Sequence, residues 1–229
     1  MSLCLLDEDS FRSSCKLLLQ QSEELRDSWT WEPVQGSSEE GYLKKIALKS
    51  VVIDSSLKWN LIESDTGEEQ TPPDCLNSDT GYSDDEGEAA DVCGLSEGSS
   101  SSQVFQYEYH IVYSCSYRTP ALYFRACTLE GRSLSLEEVW SSVHPNLRLR
   151  LKHCPLNTIT QQEHPLLGQP FFLLHPCRTQ DFMRPVLQAA HQQNRSVNYV
   201  LTWLSVVGPL VGLDVPLHYS ISSSSTKPD

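Results

Sequence analysis

Phe11, Cys15, Leu18, Ser22, Leu25 and Trp29 recur at i, i+4, i+7, i+11, i+14 and i+18, and all but Ser22 are apolar. That spacing lays one stripe along a helix, so the sequence predicts an amphipathic helix, with Asp9 or Ser10 as its N-cap. Core packing, rather than binding, is the role such a stripe implies. Two extended runs follow, Trp29–Glu32 closed by Pro33, and Tyr42–Ile53 after Gly41. They read as a strand pair. The clearest period of two lies further on. Tyr107, Tyr109, Ile111, Tyr113, Cys115 and Tyr117 alternate with Glu108, His110, Val112, Ser114 and Ser116. With a turn at Arg118-Thr119-Pro120 and a return strand over Ala121–Thr128, this predicts a long hairpin. One of its faces is expected to pack on the first helix and the other to stay wet.

The rest is punctuated. Glu130-Gly131 predicts a turn. Ser135-Leu136-Glu137-Glu138 has capping-box spacing for a short helix through Val143, which His144-Pro145 would end. Pro165, Gly168 and Pro170 precede a short buried strand, Phe171–Leu174. Thr179 is expected to cap a helix running past Pro185 toward Ala190. Ser196 is expected to cap another, carrying Tyr199, Val200, Trp203, Leu204 and Val207 until Gly208-Pro209. Helix, antiparallel meander, irregular segment, helices: the order predicts an α+β fold with one sheet.

Composition changes that picture at one place. The net charge is −13, but twelve of the 30 acidic residues fall between Leu61 and Ser102, where there is no Lys or Arg. The remainder is almost neutral. Segment 64–102, rich in Ser, Asp, Glu, Gly and Pro, cannot bury enough apolar surface to offset its ordering entropy, and is expected to be a disordered insert within a single domain spanning 1–229. Residues 220–229 are expected to be a flexible tail. Basic patches of the kind that bind a phosphate backbone are missing, so nucleic acid is not an expected partner. The N-terminal MSLCLLDEDS lacks a positive n-region, and the longest apolar tract, Tyr199–Leu213, is too short to cross a bilayer. A cytoplasmic protein with reduced thiols is the expectation, and with no C-x-x-C pair among eight cysteines, neither a metal site nor a cofactor is expected.

His175-Pro176-Cys177 offers chemistry. It follows a predicted strand and precedes a predicted helix, where a thiol is reachable and the helix N-terminus favours a thiolate. A buried structural cysteine is the competing reading. A tyrosine-phosphatase loop is excluded by spacing, because His175 lies two residues before the thiol and Arg184 seven after it. A Cys–His protease would have His110, His144, His153, His164, His191 or His218 available, but no protease signature surrounds Cys177. His153-Cys154 and His110 with Cys115 supply too few ligands for a metal. Trp59-Asn60-Leu61-Ile62, with its acidic flank, has the form of a peptide that docks on ubiquitin-like modifiers, yet is common enough to be an ordinary strand end.

YEYHIVYSCSYRTPALYFRA, NTITQQEHPLLGQPFFLLHPC and NYVLTWLSVVGPLVGL, within Tyr107–Tyr219, together resemble the autophagy-related E2-like conjugating enzymes of type ten, the autophagocytosis-associated active-site family. DSWTW at Asp27–Trp31 and GYLKKI at Gly41–Ile46 extend the resemblance. It implies a ubiquitin-conjugating-enzyme-like fold with Cys177 as the thioester nucleophile. It also implies charging by an E1-like activating enzyme (autophagy-related protein seven), with the ubiquitin-like autophagy-related protein twelve as modifier, possible handling of other autophagy modifiers, and transfer to a lysine of autophagy-related protein five. Ordinary ubiquitin-conjugating enzymes carry an His-Pro-Asn triplet upstream. This chain has His164-Pro165-Leu166, so the oxyanion donor is open between Asn157, Gln161, Gln162 and backbone amides, with His175 a supporting group. Tyr117 and Tyr113, on a hairpin expected at a sheet edge, are candidates for holding the target protein. The alternatives are the lipid-directed sister enzyme, which the acidic Glu23, Glu24 and Asp27 disfavour, and an interaction module with an inert Cys177.

Overall fold

The structure is a computed structural model that describes residues 5–34, 36, 40–53, 101–142 and 159–219. Residue contacts separate Met1–Ile53 with Ser102–Asp229 from Asp54–Ser101, and the first of these units carries the fold. The expected acidic insert 64–102 lies outside the described residues except for its last two, whose backbone already belongs to a strand. The tail 220–229, Trp59–Ile62, His144, His153, Cys154 and Asn157 also lie outside them.

Helix α1 spans Glu8–Leu25 and buries Phe11, Cys15, Leu18 and Ser22, the predicted stripe. Its N-cap is Asp7 rather than Asp9 or Ser10, because the Asp7 carboxylate accepts the Ser10 N–H at 2.7 Å and satisfies an N–H of the first turn. The helix also stops before Trp29: Arg26 turns into the left-handed region at φ 54°. Ser22, the polar member of the stripe, accepts the Trp29 N–H at 3.0 Å, so burying its hydroxyl leaves nothing unpaired there.

Strands β1 (Thr30–Pro33), β2 (Gly41–Ile53), β3 (Ser101–Ser114), β4 (Thr119–Thr128), β5 (Ile159–Glu163) and β6 (Pro170–Leu174) form one sheet, ordered β1-β2-β3-β4-β6-β5. All pairings described are antiparallel. Two expectations change here. The hairpin turn is Cys115–Arg118 rather than Arg118–Pro120, with Thr119 and Pro120 already paired to Ser114 and Tyr113. The hairpin is also not at the edge: β4 pairs with β6 over Leu122–Phe124, and β1 and β5 are the outer strands. Strand β5 is absent from the sequence reading, since ITQQE is short, polar and mostly exposed.

Helix α2 (Leu136–Ser142) opens with the predicted capping box: Glu138 N–H donates to Ser135 Oγ at 3.2 Å, and Ser135 N–H to Glu138 Oε2 at 2.8 Å. Helix α3 spans Thr179–Gln192, and Thr179 is its first residue rather than its cap. Helix α4 spans Tyr199–Val207, capped by Asn198 instead of Ser196, with Asn198 Oδ1 accepting from Leu201 N at 3.0 Å. A second bond, from Asn198 Nδ2 to Ser14 O at 2.8 Å, fastens α4 to α1.

One core joins Phe11 and Leu18 of α1, Trp203 and Leu204 of α4, and Tyr107, Tyr109, Ile111, Phe124 and Phe172 from the sheet. The opposite face, expected to be wet, is buried too. Tyr42, Val112, Ala121, Tyr123, Phe171 and Leu173 cluster there, and Glu108 and His110 are buried among them. The β5–β6 turn covers this face: the His164 ring lies 5.0 Å from Tyr123 and Phe171 and 5.3 Å from Tyr42. His110 is therefore half of a buried pair, its Nδ1 lying 3.1 Å from His164 Nε2.

Candidate active site

Strand β6 delivers the chain to His175, and Pro176–Arg178 turns once as a 3-10 helix before α3 begins. The turn forms for local reasons. Pro176 occupies its first position, where the missing N–H costs nothing, and is buried, while the His175 side chain caps it. Cys177 is thereby lifted off the sheet end, half-buried and not in a disulfide.

Its amide donates to His175 Nδ1 at 3.2 Å. With Nδ1 accepting, the hydrogen-bond pattern assigns the ring proton to Nε2, which faces the Tyr117 hydroxyl at 3.3 Å. The two rings meet edge to face, 5.3 Å apart at 80°. Tyr117 itself is 40% exposed at the hairpin tip. The structure thus brings Cys177, His175 and Tyr117 together, joining positions 58 apart in sequence.

Other expected residues fall elsewhere. The hydroxyl of Tyr113 donates to Leu6 O at 2.8 Å, and its ring packs 5.5 Å from Phe11. His164-Pro165-Leu166 begins the β5–β6 turn, at the opposite end of β6 from the thiol, since Glu163 pairs with Pro170. Ile159 is opposite Leu174, whereas Gln161 and Gln162 face Phe172 and Phe171, further from the Cys177 end. Among the described residues no His, Cys, Asp or Glu cluster is placed to hold a metal ion, and no helix is long and apolar enough to cross a membrane.

No part of the period-two pattern marked the Tyr117–His175 contact. Only the pairing of β4 with β6 brings the tip of one hairpin beside the end of another strand.

An antiparallel sheet packed on helices is an E2-like fold, and the class of protein is an E2-like acyltransferase working through a thioester. The family described as "Autophagocytosis associated protein, active-site domain" matches residues 10–218, and the chain belongs to it. It is 42% identical over 219 residues to the human "Ubiquitin-like-conjugating enzyme ATG10", covering 96% of this chain and 94% of that protein. It is 34% identical over 198 residues to the Arabidopsis thaliana protein of the same name, covering 82% of each. The Dictyostelium discoideum protein of that name is 33% identical over 122 residues, 49% of this chain and 52% of that one.

Proposed function

We propose that the chain accepts a ubiquitin-like modifier as a thioester on Cys177 and passes it to a lysine. The observation that carries this is the setting of Cys177, a half-buried thiol whose own amide is tied to His175. In the first step the Cys177 sulfur attacks the thioester joining the modifier to its activating enzyme, and the activating enzyme's thiol leaves. In the second a deprotonated lysine amine attacks the same carbonyl, an isopeptide bond forms, and the Cys177 thiolate leaves. The thioester is energetic enough that this step needs no cofactor in the chain. What the protein must supply is position and stabilisation of the oxyanion.

In this reading the donor is the E1-like autophagy-related protein seven, the modifier autophagy-related protein twelve and the acceptor autophagy-related protein five, acting in the cytosol in support of autophagosome formation. Residues 1–229 act as one E2-like domain that carries the acidic insertion. The oxyanion donor is to be sought among Asn157, Gln161, Gln162 and backbone amides. Tyr117, on the exposed hairpin tip, has the proposed role of serving transfer rather than charging.

The test is incubation with the activating enzyme, the modifier and ATP, resolved without reductant. A band at the summed mass that thiol reagents remove is expected, and failure of the wild-type chain to form one sinks the proposal. Tyr117→Phe removes one neutral hydrogen bond, worth about 1 kcal/mol, so single-turnover transfer should slow roughly fivefold. Tyr117→Ala should slow it further. Thioester formation and melting temperature should hardly move, because the side chain sits at the exposed tip. Unaltered discharge by the folded Tyr117→Ala protein would remove Tyr117 from the mechanism.

A further inference from the structure

The turn Cys115–Arg118 is exposed along its whole length, yet it must hold the Tyr117 hydroxyl within 3.3 Å of His175. The turn alone is a poor support. Arg118 sits in the left-handed region at φ 50°, which is unfavourable for a residue with a Cβ. Such a conformation persists where its surroundings enforce it.

The enforcing contacts come from the residue that leads into α1. Leu6 N–H donates to Arg118 O at 2.9 Å, and the Leu6 carbonyl accepts from the Tyr113 hydroxyl at 2.8 Å. One peptide unit on either side of Leu6 is thus clamped to the hairpin, once at its turn and once on the strand leading to it. The Leu6 side chain is buried in the same core as Phe11, and Phe11 packs on the Tyr113 ring. Helix α1 is therefore a fixed reference against which the turn is set. A connected path of short contacts runs from it through Leu6 and Arg118 to Tyr117, His175 and the Cys177 amide.

We infer that Leu6 and Tyr113 are positioning residues for acyl transfer, holding the hairpin turn so that Tyr117 meets His175, an inference that rests on the reading of Cys177 given above. Neither touches the thiol. Tyr113 acts here through its hydroxyl, inward, rather than as a surface for the target protein.

The experiment compares wild type, Tyr113→Phe, Tyr117→Phe and the double variant, each full length. Each is charged with autophagy-related protein twelve by its activating enzyme and discharged onto free lysine in single turnover. Free lysine has no docking surface, so a role in gripping the target protein would leave this rate alone. Tyr113→Phe keeps the ring on Phe11 and loses what the hydroxyl holds, the bond to Leu6 and the contact with the Arg118 side chain. Discharge should slow about threefold, with charging unchanged and the melting temperature lowered by no more than about 2–4 °C. In the double variant the effects should fail to add, since both break one path. Wild-type discharge by Tyr113→Phe, or independent additive losses, would overturn the inference. A second readout needs no charging: the His175 imidazole resonances of the free protein should shift in Tyr113→Phe as they do in Tyr117→Phe. Deleting residues 1–6 removes the Leu6 donor and should reproduce the shift. Unmoved His175 signals overturn the inference even if wild type fails to charge, whereas a failure to charge alone counts against the function of Cys177.

Discussion

Cys177→Ser should turn a thiol-labile adduct into one that survives reductant. Serine is nearly isosteric and keeps the capped turn, because the bond to His175 uses the backbone N–H of residue 177 and Pro176 stays buried. An oxyester is a poorer acyl donor than a thioester, so the modifier should load and then stay. Discharge should fall by about a hundredfold or more, roughly 2.7 kcal/mol of barrier. The other described cysteines lack this setting. Cys15 is fully buried, and burial pushes its thiol far above the ordinary range. Cys127 directs its sulfur to Gln106 O at 3.7 Å, and Cys115 lies on the hairpin turn without a capping histidine. Cys115→Ser and Cys127→Ser should charge normally. The assignment of the nucleophile is lost if either abolishes the adduct while Cys177→Ser still gives a reductant-labile one. Mass spectrometry of the adduct, with and without reductant, reads both outcomes.

The largest loss of stability is expected at Glu108. Its buried carboxylate takes the Arg125 Nε–H at 2.6 Å on one oxygen, and Lys44 Nζ and His110 Nε2, each at 3.1 Å, on the other. The network continues with a fixed direction. Leu166 N–H donates to His164 Nδ1 at 3.3 Å, so the His164 proton is on Nε2 and donates to His110 Nδ1, and the His110 proton is on Nε2 and donates to Glu108. Every ring nitrogen is used, and Gln169 closes the outer side through Arg125 Nη1 at 3.3 Å. Glu108→Ala leaves these cations and His110 without their acceptor, at a cost of about 3 kcal/mol, a large share of a domain's stability. Urea unfolding measures it, and a loss below about 1 kcal/mol would show that the network contributes little.

The same network predicts acid sensitivity. His110 bonding, followed by Arg125 and Lys44, holds the Glu108 carboxyl below its ordinary range despite burial. Burial, and then the neighbouring His110, push His164 down to about 4. Both folded-state values are depressed, so the unfolded chain takes up protons first. The His164 contribution is whole above its ordinary value of 6.5, and is lost as pH falls from there toward 4. Glu108 adds its loss only at lower pH. An added proton has no place to sit on His164: on Nδ1 it opposes the Leu166 N–H. Between pH 7.5 and 5.0 unfolding free energy should drop by about 2 kcal/mol, and His164→Gln should flatten that slope. Equal slopes for wild type and variant would place the acid sensitivity elsewhere.

The sequence by itself determined the parts of this protein whose causes are local. The stripe from Phe11 to Ser22 specifies α1 because side chains three and four apart share a helical face. Alternation from Tyr107 specifies β3, the Ser135–Glu138 spacing starts α2, and His175-Pro176-Cys177 marks the thiol because proline and the capping histidine build its turn within three residues. Local signals also misled at their margins, where caps compete: Asp7 and Asn198 took positions expected for Asp9 or Ser10 and for Ser196. Only the tertiary structure decided what depends on pairing across long separations. Strand β5 has too little apolar content to announce itself, and exists because β6 offers it an edge. The hairpin lies inside the sheet because β6 pairs with β4, and that pairing alone sets Tyr117 against His175. The face of β3 carrying Glu108 and His110 reads as wet because its residues are polar. It is dry because the turn that carries His164, 54 residues from His110, folds over it and completes its hydrogen bonds. Burial of polar groups is favourable only when such partners arrive, and no periodicity along the chain records their arrival.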